Sequence, residues 1–402
     1  MALLSVEDAL ARVIDAVEPM QAERVAVERA HGRALAAPLQ ALLTQPPFTA
    51  SAMDGYAVRA ADVAALPATL AVIGTAAAGH PYAGKVGRGE AVRIFTGAPM
   101  PDGADAVVIQ ENADAAGGQV VVREGAVEPE CIRPRGMDFR EGETLLAAGR
   151  RLGPRELALA AAMGYGTLPV RRRPRVAILS TGDELVPPGV RPGAGQVVAS
   201  NHLSVAALAE AAGADVSLLG IARDTREDLA RHIGHAAGAD VLVTIGGASV
   251  GEHDLVAPVL EARGLALSFW KIAMRPGKPL MFGRLDGSRV LGLPGNPAAS
   301  FVCARLFLVP LIWRLLGRPA DASLATTEAR LGAEVEANGP RQHYMRAVCW
   351  PGAHGLLQVS ALPFQHSSLI APLAQASCLL VRPPHAPPAV AGSAVSVLML
   401  DD

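Results

Sequence analysis

Cysteine, lysine and aromatic residues are all scarce in this chain of 402 residues. The four cysteines, Cys131, Cys303, Cys349 and Cys378, lie far apart and form no CxxC pair. That pattern argues against a zinc site or a disulfide frame and reads as buried thiols in a reducing compartment. Aromatics make up 4% of the residues, too few for the stacking platforms that single-stranded nucleic acids need. Neither sign of charge is in surplus. Thirty-six basic residues face 38 acidic ones, and a net charge of −2 lacks the basic excess of a general nucleic-acid binder. No uncharged apolar run reaches the ~18 residues of a membrane span. The N-terminus meets Glu7 and Asp8 early and lacks the basic stretch of a secretory signal. The expectation is a cytoplasmic protein that engages neither nucleic acid nor membrane. Half of the residues are hydrophobic, enough to build sizeable cores, and at roughly 150 residues per domain the length implies two to four of them.

Lysine occurs only as Lys85, Lys271 and Lys278; the other basic residues are arginine. In a chain that otherwise uses arginine, the pairing of Lys271 and Lys278 marks a loop where a compact ammonium serves better. Chance clustering is the competing reading.

The chain changes character several times. Ser5 with Asp8 forms a helix-start signal, followed by the stripe Leu10, Val13, Ile14 and Val17, and Pro19 ends the pattern. Short β-like runs at 92–95, 106–109 and 120–122 between Gly/Pro turns describe a small β-rich module. A helix over 155–163, opened by Pro154 and closed by Gly164, leads to Arg171-Arg172-Arg173-Pro174, which reads as a solvated boundary more readily than as a phosphate patch. From Arg175 onward short apolar runs alternate with amphipathic helices. Strands are expected at 176–179, 216–221, 241–245, 265–272, 280–282 and 290–293. Helices are expected at 200–212, 225–237 and 298–316. That alternation is the signature of a doubly wound, mostly parallel sheet, whose ligands bind beyond the carboxyl ends of the strands. After Gly317-Arg318-Pro319 the pattern turns β-like to the end.

The chemistry concentrates in the loops at those strand ends. Ser180-Thr181-Gly182-Asp183-Glu184-Leu185 puts two carboxylates on a glycine turn, able to hold a metal, orient a hydroxyl or cap a helix. Gly246-Gly247-Ala248-Ser249-Val250-Gly251-Glu252-His253-Asp254 offers an anion nest of successive N–H groups, with a plain tight turn as the bland alternative. It has neither the GKS/GKT ending of a P-loop nor the GxGxxG spacing. Trp270 to Pro279 carries Arg275 and Lys278 on a Pro-Gly turn, and Leu293-Pro294-Gly295-Asn296-Pro297 starts a helix with Asn as cap and Pro at its first position. With Asp224 nearby in the pattern, these loops describe a cleft for a polyanion. Acids facing phosphates imply an intervening Mg²⁺. Asp54, in Ala50-Ser51-Ala52-Met53-Asp54-Gly55-Tyr56-Ala57, is a carboxylate among small residues that a β-turn would also explain.

Taken together, PPFTASAMDGYAV, RIFTGAPMPDGADAVV, RPRGMDFREGE, ILSTGDELV, GGASVGEHD, FWKIAMRPGKP and LPGNPAAS occur in one order over residues 1 to about 380 and resemble the molybdopterin molybdenumtransferase family. The resemblance implies a multidomain α/β and β chain. Its parts would be an extended helical linker domain from 1–45 and 139–172, a β-rich module over 46–138, a molybdopterin-binding α/β domain over 173–318, and a β-barrel-like domain over 319–402. It implies an Mg²⁺-dependent reaction in which molybdate and adenylyl-molybdopterin give molybdenum cofactor and AMP. Asp54, Glu184, Asp224 and Asp254 would be catalytic, with Glu184 and Asp254 on the metal. Thr96, Gly246, Gly247, Ser249, Gly251, Pro294, Gly295 and Asn296 would bind substrate. Arg275, Lys278, Arg346 and Ser367 would bind molybdate or phosphate, with Arg341 and Ser368 as close competitors of the last two. Arg275 replaces the lysine of many members. Arg133 and Asp138 match a motif that a salt-bridged hinge would also explain. The resemblance further implies a homodimer whose active sites are shared between chains. Transient partners would be the molybdopterin adenylyltransferase and apo-molybdoenzymes or their chaperones. Two other classes stay open: an adenylyltransferase that only activates molybdopterin, and a non-catalytic scaffold of the same fold.

Overall fold

The computed structural model describes residues 3–124, 129–247, 255–352 and 355–400. A six-stranded sheet in the middle of the chain carries strands in the order Asp215–Ala222, Arg175–Thr181, Val241–Ile245, Ser288–Leu293, Met281–Leu285 and Ala266–Trp270. The first four run parallel, Met281–Leu285 alone runs the other way, and Ala266–Trp270 pairs antiparallel with it at the edge, so the sheet is parallel where the strand-end loops cluster. Side-chain alternation builds two layers from single strands. Val176 and Ile178 face a cluster with Val205 and Ala209 of the Asn201–Ala212 helix and Phe307 and Leu311 of the last helix. Ala177 and Leu179 face the opposite cluster with Leu229, Ile233, Val259 and Leu260.

That last helix, Pro297–Leu315, has the length and apolarity to cross a membrane, yet 83% of it is buried inside the fold. It is the central helix of the core. Pro310 has no N–H to return to the preceding turn and its ring crowds the carbonyl there, and the adjoining Ala304–Leu308 segment winds as a π turn.

Ser5 caps the first helix, Val6–Ile14, by accepting from the Asp8 N–H at 3.0 Å. Its buried Val6, Ala9 and Val13 join the core of the α/β sheet, not that of the linker segment to which they are adjacent in sequence. The linker itself holds more strand and turn than its expected helical character. Ala22–Ala26 pairs antiparallel with Thr167–Arg171, and Pro154–Ala162 is the helix that packs on their core of Leu35, Phe139, Met163 and Leu168.

The arginine run at 171–173 is a riveted joint, not a solvated boundary. Arg171 donates to the Met20 carbonyl at 2.9 Å, and Arg172 makes a bidentate pair with Asp240 at 3.0 and 2.9 Å. Asp240 also accepts from the Arg175 N–H at 2.7 Å, so one carboxylate pins the chain where it enters the sheet.

The β-rich module is a second six-stranded sheet, in the order Ala106–Ile109, Gly55–Val58, Glu90–Ile94, Ala68–Ala76, Gln119–Val122 and Ala113–Ala116. In the C-terminal region Thr327–Leu331, Leu357–Ala361, Gln342–Pro351, Cys378–Arg382 and Ala394–Met399 close on one another as a five-stranded barrel, each strand paired on both sides. Met274–Arg275 adds to this barrel alongside Gln342 and His343 and so stitches it to the α/β sheet.

Candidate functional site

The carboxyl ends of the parallel strands open into a cleft of about 750 Å³, lined by Thr181, Gly182, Glu184, Asp224, Gly246 and Gly247, among others. Its floor depends on glycine. Gly246 has φ +95°, and a Cβ there would lie 2.6 Å from the Thr181 carbonyl oxygen and 2.9 Å from its hydroxyl. Only a residue without a side chain lets the two strand-end loops meet. Gly295 approaches from the third loop, where a Cβ would lie 3.7 Å from the Gly246 Cα. Asn201, at the start of the Asn201–Ala212 helix, donates to the Gly295 carbonyl at 2.6 Å and fixes that loop against the cleft.

Three carboxylates share one corner. The Asp224 N–H donates to Asp183 Oδ1 at 3.2 Å. Burial raises the Asp224 pKa above the usual carboxylate value, and the charges of Asp183 and Glu184 raise it further. Among the described residues no group of three potential ligands is arranged to hold a metal as it stands. Ser249, Gly251 and Asp254 lie outside the described residues.

Positive charge gathers where the α/β sheet joins the barrel. Arg275 and Lys278 are exposed on their loop, and Pro279 lines the cleft. Because Arg275 pairs in register with His343, it stands with Arg341 and Arg346 around that imidazole. His343 is 7% exposed, and its Nε2 has no hydrogen-bond partner. Burial, then the charges of Arg275, Arg341 and Arg346, hold its pKa down to about 4.

The two residues expected to close the anion site from the barrel are placed otherwise. Arg346 is 1% exposed, and its guanidinium donates to the carbonyls of Phe364, His366 and Leu369 at 3.0, 3.0 and 2.9 Å. It shapes the loop rather than presenting charge to the cleft. Ser367 Oγ accepts from the Asn296 side chain at 3.1 Å, while its carbonyl accepts from the Ala298 N–H at 3.0 Å. Asn296 therefore sits at the helix start, as its sequence position requires, but spends its amide across the domain seam instead of capping. The neighbour Ser368 is the serine that lines the cleft, with its hydroxyl 2.7 Å from His366 Nδ1. Of the competitors, Ser368 lines the cleft, and Arg341 is half-buried beside His343 at the seam.

Asp54 and Thr96 meet each other, but not this cleft. Gly55 is obligatory beside them, since a Cβ would lie 2.0 Å from the Val108 carbonyl oxygen. Asp54 Oδ1 accepts from the Thr96 N–H and hydroxyl, both at 2.8 Å. These bonds, the backbone one foremost, lower its pKa, and the charge of Arg93 adds to them. Arg93 itself lies over the rings of Tyr56 and Phe95, 4.9 and 5.0 Å from their centres. The result is an ionised, oriented carboxylate on the surface of the β-rich module, where Met53 and Phe95 are also exposed. Arg133 pairs with Ala50 in the backbone behind this turn, and the Asp138 N–H donates to the Gln45 carbonyl at 3.1 Å.

Sequence reasoning named Asp183 among the two carboxylates of its glycine turn without giving it a role of its own, and it missed Asn201 and Arg93. Asn201 was visible as a helix start, but nothing local to Arg93 marks its reach to Asp54.

Three family models cover most of the chain. They are the MoeA N-terminal region (domain I and II) over residues 4–164, a probable molybdopterin binding domain over 177–314, and the MoeA C-terminal region (domain IV) over 328–400. A molybdopterin molybdenumtransferase of Haemophilus influenzae is 34% identical over 391 residues, 94% of each chain. One from a Nostoc species is 38% identical over 366 residues, 88% of this chain and 83% of that one. Among solved structures, a molybdopterin biosynthesis MoeA protein from Pyrococcus horikoshii superposes over 100% of both chains with a TM-score of 0.84 at 32% identity.

Proposed function

Because the chain belongs to the MoeA family of molybdopterin molybdenumtransferases, we propose that it transfers molybdenum from molybdate to adenylyl-molybdopterin and releases AMP. The observation that carries this reading is the cleft itself. Glycine loops meet at the ends of parallel strands, carboxylates stand at one corner and the barrel's Ser368 on the lining, while an arginine-rich seam surrounds His343 where the barrel joins the sheet. In this reading Gly247, continued by Ser249 and Gly251, offers backbone N–H groups to the phosphates, while Gly246, whose own N–H donates to the Leu293 carbonyl at 3.1 Å, leaves the floor free of a side chain for the substrate. Pro294, Gly295 and Asn296 form the opposing wall, held by Asn201. Arg275, Lys278 and Arg341 attract the molybdate dianion, and Ser368 orients one of its oxygens. Arg346 and Ser367 hold the loop that delivers Ser368.

The reading includes Mg²⁺. The crowding of Asp183 and Glu184 on Asp224 is the electrostatic condition that a divalent cation relieves. Glu184 and Asp254 would hold the ion, which when bound supplies charge neutralisation to the phosphoanhydride as it breaks. In this reading Asp224, whose pKa is raised by burial and by Asp183 and Glu184, is the group assigned to carry a proton during that cleavage. The reaction belongs in the cytoplasm, whose reducing poise suits a chain with four free cysteines in its resting state.

Asp54 and Thr96 do not line the cleft of their own chain. We assign them to the cleft of a second copy, in a homodimer with two shared sites. An Asp54→Asn chain and an Asp224→Ala chain are then each inactive alone. Their purified heterodimer holds one doubly defective site and one intact site, and recovers about half of the activity of the unsubstituted dimer. A heterodimer as inactive as either parent, or a monomeric mass in solution, would refute the shared site.

The test of the reaction is release of AMP from adenylyl-molybdopterin as a function of molybdate. Turnover of ATP with free molybdopterin, but none of adenylyl-molybdopterin, would make the chain an adenylyltransferase. Inactivity in both assays would leave a scaffold. Once loaded, the product passes to apo-molybdoenzymes or their chaperones.

A further inference from the structure

The C-terminal barrel brings together two thiols that the sequence separates by 29 positions. Cys349 lies near the end of the Gln342–Pro351 strand, and Cys378 opens the Cys378–Arg382 strand. In their antiparallel register Ala347 faces Cys378, so Cys349, two residues along on the same face, stands on the diagonal. The sulfurs are 2.9 Å apart. The surrounding backbone is already tied: the Cys349 N–H donates to the Ser377 hydroxyl at 2.8 Å, and the Ser377 N–H to the Ala347 carbonyl at 3.1 Å. Cys378 is buried and Cys349 is partly exposed, which supplies one sulfur that a reagent can reach and one to resolve the adduct.

We propose that Cys349 and Cys378 form a reversible disulfide that closes the base of the loop carrying Ser367 and Ser368. Both ends of that loop are at stake. Arg346, three residues before Cys349, grips the carbonyls of Phe364, His366 and Leu369, and the chain from there returns through Ala371–Gln375 directly into Cys378. The oxidant is a small-molecule disulfide such as oxidised glutathione. The Cys349 thiolate attacks one of its sulfurs and expels one glutathione thiolate. The Cys378 sulfur gives up its proton, attacks the Cys349 sulfur of the mixed disulfide and expels the second. The protein pair loses two electrons and two protons, and the oxidant becomes two molecules of glutathione. Burial and the neighbouring Cys349 sulfur keep Cys378 protonated, so the second displacement is the slow one.

The experiment uses the purified full chain, reduced and then equilibrated with oxidised glutathione, without substrate. Intact mass, peptide mapping and amide hydrogen exchange are read. The expected product is lighter by two hydrogen atoms, contains a Cys349–Cys378 peptide pair, exchanges more slowly over 362–378, and returns to the starting mass with dithiothreitol. Cys349→Ser keeps its reduced mass and its exchange pattern. Cys378→Ala, which can form the mixed disulfide but cannot resolve it, accumulates a glutathione adduct at Cys349. A persistent adduct in the parent chain, a cross-link between other cysteines, or no change of mass would each overturn the proposal. A Cys349–Cys378 bond that leaves exchange over 362–378 unaltered would overturn its role at the loop base.

Discussion

Replacing Arg346 with alanine strips the donors from three carbonyls, those of Phe364, His366 and Leu369, and from the Gln365 side chain that accepts at 3.5 Å. Each bond to a charged donor is worth about 1.5–3 kcal/mol. The contributions do not add, because water refills part of the space and the loop relaxes. Leaving buried carbonyls without donors costs about 1–3 kcal/mol apiece, so a net loss of roughly 3–5 kcal/mol is expected. In a barrel of this size that lowers the midpoint of thermal unfolding by at least ~10 °C. Lysine keeps the charge but cannot reproduce the planar fork, so Arg346→Lys is expected to lose most of the same stability. Arg341→Ala is the contrast. Its side chain is half-buried, and no hydrogen bond ties it to the loop, so its loss leaves stability within about 0.5 kcal/mol. It is expected to raise the molybdate concentration needed for half-maximal AMP release. Calorimetry of the C-terminal unfolding step, paired with molybdate titration of the reaction, separates the roles. If Arg346→Ala melts with the parent chain while its molybdate requirement rises, Arg346 contacts the anion directly and the loop-shaping argument is wrong.

Three further substitutions, one with a paired control, test other parts of the protein. His343, with its pKa at about 4 against an ordinary 6.5, binds its proton in the unfolded state first as pH falls. Stability present above pH 6.5 therefore drains away down to about pH 4, by up to about 3 kcal/mol. His343→Gln is expected to flatten that part of a denaturation-versus-pH curve, and identical acid sensitivity in both chains would refute the argument. Gly246→Ala, at φ +95° and 2.6 Å from the Thr181 carbonyl, is expected to destabilise by more than the ~1–2 kcal/mol of a left-handed alanine and to raise KM for adenylyl-molybdopterin. Gly238→Ala, at φ +79° with nothing within 4 Å, is its control and bears the backbone cost alone; equal losses in the two variants would remove the crowding argument. Lys278→Ala is expected to raise the half-maximal molybdate concentration without altering unfolding, since Lys278 is exposed and its backbone carbonyl alone supports the fold. An unchanged molybdate dependence would take Lys278 out of the anion site.

What was legible in the sequence follows from how far each signal reaches along the chain. The Val241–Ile245 strand is a run of apolar residues between turn signals, and the structure reproduces its bounds. Ser5 and Asp8 are a helix start whose partners lie three residues apart, and that bond is present. Where the partner is remote, local chemistry misled. Arg172 reads as solvated because its partner Asp240 is 68 residues away. Asn296 reads as a cap because the Ser367 hydroxyl that takes its amide is 71 residues away. Arg346 and Arg341 are five positions apart on one segment, and only the closure of the barrel buries one and leaves the other open. The cysteines fail for the same reason, since their meeting depends on strand register and not on spacing. Asp54 belongs to this set from the opposite side. Its carboxylate is held ionised by two Thr96 bonds, and its turn is enforced by the approach of Gly55 to Val108. Orientation of that kind confines a side chain that solvent would otherwise leave free. A carboxylate so held at the surface of one chain, away from that chain's own cleft, is the observation behind the shared-site proposal, in which the cleft it would complete is that of a second copy.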